Sequence, residues 1–226
     1  MNSRLELGRI AGIPIFLDMF FVILLILFSY RYLASGDSQM ISYGLLMAAG
    51  IMISVLLHEL GHALSARLFK VETREIEFTG YGGVAKFATS LPRSMVKRVI
   101  IFLAGPAANF VLYYACTYVG TASFHAGKTL LGRLLFELGG LNLYFFLFNL
   151  LPAYPLDGGQ TLDAILVRIF GGIWGQRIVG TLGMMVSLYL AFTAIQGLPG
   201  NLFLLLLALF LADLNWKVLQ STGIGR

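Results

Sequence analysis

ISYGLLMAAGIMISVLLHELGHALSARLF, residues 41–69, decides how this chain is read. The run exceeds the roughly 20 apolar residues that a helix needs to cross a bilayer, yet it carries His58, Glu59 and His62 in its second half. An ionisable side chain inside such a run is costly unless it is paired or functional. His58 and His62 stand four positions apart, so a helix projects both from one face, one turn apart. That spacing lets two imidazoles hold one Zn²⁺ while Glu59, beside the first, reaches the water to be activated. A pair of histidines that merely hydrogen-bond between helices is the plainer alternative, and the cost of placing three ionisable groups in an apolar run weighs against it.

Working outward, the same apolarity governs the whole chain. Of 226 residues, 58% are apolar and 12% charged, with a mean hydropathy of +0.83; a soluble domain is about half apolar and a quarter charged. These values exclude a disordered chain and argue against a soluble cytosolic enzyme. Six apolar stretches stand out: Ile13 to Tyr32, Ile41 to Phe69, Val96 to Ala122, Leu130 to Leu151, Gly172 to Ile195 and Leu198 to Trp216. The sequence therefore predicts an all-α polytopic membrane protein with six transmembrane helices. The 16 basic residues divide 13 to 3 between the two faces that six spans would define, with Arg31, Lys128 and Arg133 as the minority. By the positive-inside rule both termini are cytoplasmic, and the net charge of +5 is read as basic loops rather than as a nucleic-acid footprint. Residues 71–92, VETREIEFTGYGGVAKFATSLP, alternate polar and apolar around Tyr81-Gly82-Gly83, which predicts a small β-hairpin or sheet at the cytoplasmic face. The single Cys116 allows no intrachain disulfide.

A catalytic zinc site usually takes three protein ligands and keeps one open position. His125, Glu137 and Cys116 fall toward the far face from the HELGH half of its span, and Asp18, Asp37 and Asp213 lack neighbouring turn chemistry. Glu72, Glu75 and Glu77 are expected to be solvated on the hairpin. Asp157 remains, in NLLPAYPLDGGQTLD at residues 149–163. Pro152 and Pro155 interrupt the helix, and Gly158-Gly159 permit a tight turn that aims a carboxylate inward. Asp163 is the competitor, as a residue that merely caps or solvates the next helix.

Three segments, HELGH at residues 58–62, AGPAANF at 104–110 and the Asn149–Gly158 segment with its Leu156-Asp157-Gly158 end, closely resemble the site-2 protease family of intramembrane zinc metalloproteases (peptidase family M50). The likeness covers residues 45–170, the expected catalytic core. It implies one Zn²⁺ held by His58, His62 and Asp157, Glu59 as the catalytic acid/base, and Asn149 as a residue contacting substrate or transition state. Gly105, Pro106 and Asn109 match a further motif, for which close helix packing is the preferred reading. The resemblance also implies a membrane-protein substrate cut within or near a transmembrane segment, in regulated intramembrane proteolysis, in a prokaryotic cell membrane. Residues 1–226 are expected to form a single transmembrane domain; no PDZ or cystathionine-β-synthase-type domain is read in them. Water must reach the site through a polar channel, because bulk lipid supplies none. The 71–92 hairpin is expected to offer an edge strand to an unwound substrate by β-augmentation, with proline substitutions along Glu75 to Phe78 as its test. A membrane zinc transporter or scaffold is the competing function, and ligands converging at one depth disfavour it.

Overall fold

The alternating segment folds as a hairpin, but it does not stand alone. In a computed structural model, which describes residues 4–223, strands β1 (Arg4–Ile10), β2 (Ile13–Asp18), β3 (Thr73–Thr79) and β4 (Gly82–Phe87) form one four-stranded sheet in the order β1-β2-β3-β4. Strands β1 and β2 are antiparallel, as are β3 and β4, while β2 runs parallel to β3 with Ile15 opposite Ile76. Strand β3 is thus interior, and the outer edges belong to β1 and β4. The edge that the hairpin offers is therefore β4 and not Glu75 to Phe78, since Ile76 to Phe78 pair with β2 on one side and Glu75 to Phe78 with β4 on the other.

The expected first span divides in two. Ile-Pro-Ile-Phe-Leu-Asp, residues 13–18, joins the sheet as β2, and the helix begins only at Met19 as α1 (Met19–Leu33). Asp18 sets the boundary, its carboxylate accepting from the N–H of Phe20 at 2.8 Å, an N-cap that satisfies an orphan donor of the first turn. Asp37 does the same for α2 (Ser38–Leu68) through Gln39. The remaining helices are α3 (Met95–His125), α4 (Thr129–Asn149), α5 (Asp157–Phe170), α6 (Gly172–Gln196) and α7 (Leu202–Ser221). Five of them, α2, α3, α4, α6 and α7, are long and apolar enough to cross a membrane. Six were expected; α1 keeps only 15 residues because the sheet takes the first part of its apolar run.

The chain forms two compact units, one of residues 1–91 and 104–146, the other of 92–103 and 147–226. In the first, one half of α2 packs on α4 through Tyr43, Met47, Ile51, Leu134 and Leu138. Its other half, which carries the histidines, lies under the sheet, where Leu60 and Ala63 meet Ile13 and Ile76. Ile15, Phe21 and Phe78 close the core between the sheet, α1 and α2. In the second unit α5, α6 and α7 pack in succession. Of the basic residues counted for orientation, Arg226 lies outside the described residues.

Candidate metal centre

Residues 58–62 form a continuous part of α2, and the four-residue spacing does what the helix dictates. His58 and His62 are both buried, and their Nε2 atoms face each other at 3.1 Å. Two nitrogens on one tetrahedral zinc, each at about 2.1 Å, lie about 3.4 Å apart, so the pair fits such an ion. Helix α3 crosses α2 here, and small residues allow it. A Cβ on Gly61 would come within 2.5 Å of the Ala104 carbonyl oxygen, and one on Gly105 would lie 2.7 Å from His58 Nε2 and nearer still to His62 Nε2. Gly105 therefore leaves open the space in front of both donor nitrogens. Close packing was the expected role of this glycine, and it also shapes the metal-facing side.

Glu59 is buried on the same turn, under β4. A Cβ on Gly83 would sit 2.6 Å from Glu59 Oε1, so the Gly-Gly start of β4 gives the carboxylate its room. Asn109, assigned to packing from the sequence, touches the site: its Oδ1 lies 2.5 Å from His58 Nδ1. Sequence reading missed this contact because α2 and α3 carry the partners 51 positions apart; the asparagine in an apolar span was the signal available.

In the second unit Asp157 opens α5 and is buried. A helix N-terminus favours a negative charge in its first turn. Gly158 and Gly159 do not serve a left-handed turn; both are helical, and a Cβ on either would overlap loop backbone, at Leu150 for the first and Ala153 for the second. They let the 150–156 loop fold back onto the start of α5. The loop is held further by Asn215 of α7, which accepts from the Tyr154 N–H at 3.1 Å and donates to the Tyr154 carbonyl at 2.8 Å. The Tyr154 hydroxyl donates to Asp163 at 2.7 Å, and Arg98 reaches the other oxygen of Asp163 at 3.2 Å. Burial, then the hydrogen bond to Asp163, raise the Tyr154 phenol well above its ordinary value. Asp163 is thus committed to the loop rather than to capping a helix. Asn149 is the last residue of α4 and is half-buried.

His58 and His62, buried in the first unit, and Asp157, buried in the second, each offer a donor atom of a kind that metal ions take. Two imidazoles and a carboxylate are a donor set suited to zinc, with a fourth position left for water or substrate. The acids near the hairpin have other partners. Glu75 is buried, with Arg4 at 2.9 Å and Lys86 at 3.0 Å, and Lys86 also bonds Glu77. The expectation that these glutamates are solvated fails for Glu75, because β1 supplies Arg4 across the sheet. Glu137 is held by Arg133 and Tyr32.

A mostly helical chain with five helices long and apolar enough to cross a membrane, a small sheet and an HExxH pair buried in one of them has the features of a membrane-embedded metalloprotein. Residues 46–133 match Peptidase family M50. A zinc metalloprotease of Methanocaldococcus jannaschii is 31% identical over 93% of this chain and 59% of its own length. Stage IV sporulation protein FB of Bacillus subtilis is 31% identical over 50% of this chain and 37% of its own. The solved structure of the site-2 protease from Methanocaldococcus jannaschii superposes with a TM-score of 0.68 at 26% identity, covering 95% of this chain and 94% of that one. Together these matches support placing the chain in the site-2 protease family, peptidase family M50. It spans about three fifths of the length of the first curated relatives it matches.

Proposed function

We propose that this chain is an intramembrane zinc metalloendopeptidase that hydrolyses a peptide bond within or beside a transmembrane segment of a membrane-protein substrate, in regulated intramembrane proteolysis. The observation that carries this reading is the buried His58–His62 pair, with converging Nε2 atoms and Glu59 on the same turn, inside a 31-residue apolar helix. His58, His62 and Asp157 hold one zinc ion. When bound, zinc supplies Lewis acidity toward water and the scissile carbonyl. Glu59 takes a proton from the attacking water as its oxygen adds to the carbonyl carbon, and delivers a proton to the departing nitrogen as the C–N bond breaks. Asn149 donates to the developing oxyanion from its amide nitrogen.

The substrate must unwind before its peptide bonds are reachable, and the freed N–H and C=O groups then need partners. Strand β4 has an outer edge and covers Glu59, which favours it as the strand that pairs with the extended substrate. The reading places the protein in a prokaryotic cell membrane, with six spans including α1, both termini and the sheet cytoplasmic, and a polar path for water from that side.

The test is Glu59→Gln in a reconstituted cleavage assay, with zinc content measured alongside. Zinc is expected to stay at one per chain while cleavage falls by at least about 10²-fold, the lower range for loss of a general base. Full cleavage by the variant overturns the role of Glu59. Zinc flux into liposomes, unchanged by the substitution, would point to a transporter instead.

A further inference from the structure

The contact between Asn109 and His58 is the last link of a chain of buried polar groups whose proton directions are all set by backbone carbonyls. Asn142 of α4 donates from Nδ2 to the Leu138 carbonyl at 2.9 Å and to Ser54 Oγ at 2.9 Å. Ser54 has already committed its own proton to the Gly50 carbonyl at 2.8 Å, so its oxygen accepts from Asn142. Both Asn142 amide protons are thereby used, and its Oδ1 faces Asn109 Nδ2 at 2.8 Å. Asn109 Nδ2 donates there and, more weakly, to the Ser54 carbonyl at 3.4 Å. The amide of Asn109 has one orientation left: Oδ1 points at His58 Nδ1. An amide oxygen only accepts, so His58 carries its proton on Nδ1, and Nε2 is left with the lone pair that a metal requires.

We infer that Asn109, Asn142 and Ser54 form a positioning relay that fixes the tautomer and ring orientation of His58 for metal binding; the inference rests on His58 being a zinc ligand, as proposed above. The three residues come from three helices of one compact unit and are all buried, Asn109 completely. A fully satisfied polar network inside an apolar span has a single low-energy arrangement, because any flipped amide leaves two buried groups unpaired. Partners of a ligating histidine's second nitrogen typically change metal affinity by about 10- to 100-fold when removed.

The order of two substitutions at one position separates positioning from packing. If Asn109 only packs, Asn109→Leu is the mild change and Asn109→Asp, which buries a charge, the harmful one. The relay demands the reverse: Asp keeps an acceptor on Nδ1 and binds zinc within about threefold of the parent, whereas Leu weakens it about 10- to 100-fold. Zinc affinity is read by chelator competition on the whole chain in detergent, with helical content checked by circular dichroism. A second readout is the ¹⁵N shift of the His58 ring in zinc-free protein, which moves toward the Nε2–H tautomer in Asn109→Leu. Should that variant not fold, Ser54→Ala, which removes only the hydroxyl that pins Asn142, takes its place with a smaller loss in the same direction. His58→Ala is the control: zinc retained by it overturns the ligand assignment itself. Zinc lost by His58→Ala but bound normally by a folded Asn109→Leu overturns the relay alone.

Discussion

Glu75 shows how a single residue's partners can escape a linear reading. It sits in an alternating segment and reads as a solvent-facing position, yet Arg4 and Lys86 enclose it from two other strands. Burial opposes its ionisation, but the hydrogen bonds from Lys86 and Arg4 outweigh that and hold its carboxyl below the usual value. For Lys86 the bond to Glu77 leads, burial works against it, and the net shift is upward. The signs give a stability window. The Glu75 contribution is complete above its unfolded value of about 4.3 and is lost as pH falls through its lower folded value. The Lys86 contribution is complete below its unfolded value of about 10.4 and is lost as pH rises through its higher folded one. Glu75→Gln is therefore expected to lower the midpoint of thermal unfolding at pH 6, with the gap to the parent shrinking steadily toward pH 3. A gap independent of pH in that range would mean that the ion cluster contributes nothing through its charge. Asn109 belongs with Glu75. Its residue type was visible as an oddity in an apolar run, but its partner on another helix was not, because only the crossing at Gly61 and Gly105 brings the two together.

At the scale of elements, legibility followed the length of the pattern. Helices α2, α3, α4 and α6 lie where uninterrupted apolar runs put them, since a long periodic run has no other way to satisfy its backbone in lipid. The hairpin was legible from its period of two. Strands β1 and β2 were not: Arg4–Ile10 is short, with three charged residues in seven, and Ile13–Asp18 blends into the apolar residues of α1. Only the N-cap of Asp18, a local signal, marks where strand gives way to helix. Because β2 pairs with β3, the edge of the hairpin is β4, and proline along β3 no longer tests substrate pairing. Proline within β3 would break two ladders, so its effect on cleavage would report folding alone. In β4, N–H groups alternate between facing β3 and facing the outer edge. Proline placed in turn at Val84, Ala85 and Lys86 is thus expected to alternate in effect. Positions bonded to β3 lose thermal stability, while outward positions keep zinc and folding and lose at least about tenfold in cleavage, the equivalent of one hydrogen bond of about 1.4 kcal/mol. Unimpaired cleavage by every folded variant would remove β4 from the substrate path.

At the scale of the whole molecule, α1 decides the number of spans. Its 15 residues extend only about 22 Å at 1.5 Å per residue, against a hydrocarbon core of about 30 Å. The sheet nevertheless constrains it. Strand β2 leads directly into α1, and α2 ends four residues before β3, which pairs in parallel with β2. Both ends of the α1–α2 pair therefore hang from one sheet, so α1 must climb to where α2 begins. A short helix can do so where the bilayer thins locally around it, at a cost of fractions of a kcal/mol per Å of mismatch. Under the proposed orientation, which follows the 13-to-3 division of basic residues, the sheet lies inside and Ser38, the start of α2, outside. Single cysteines at Gln39, Arg74 and Lys128 in a Cys116→Ala background test this with a membrane-impermeant maleimide. In intact cells, positions 39 and 128 are expected to label from outside, and position 74 only after lysis. Labelling of 128 but not 39 would make α1 a re-entrant element; labelling of 74 alone would invert the orientation and place Glu59 and its water path on the opposite side of the membrane.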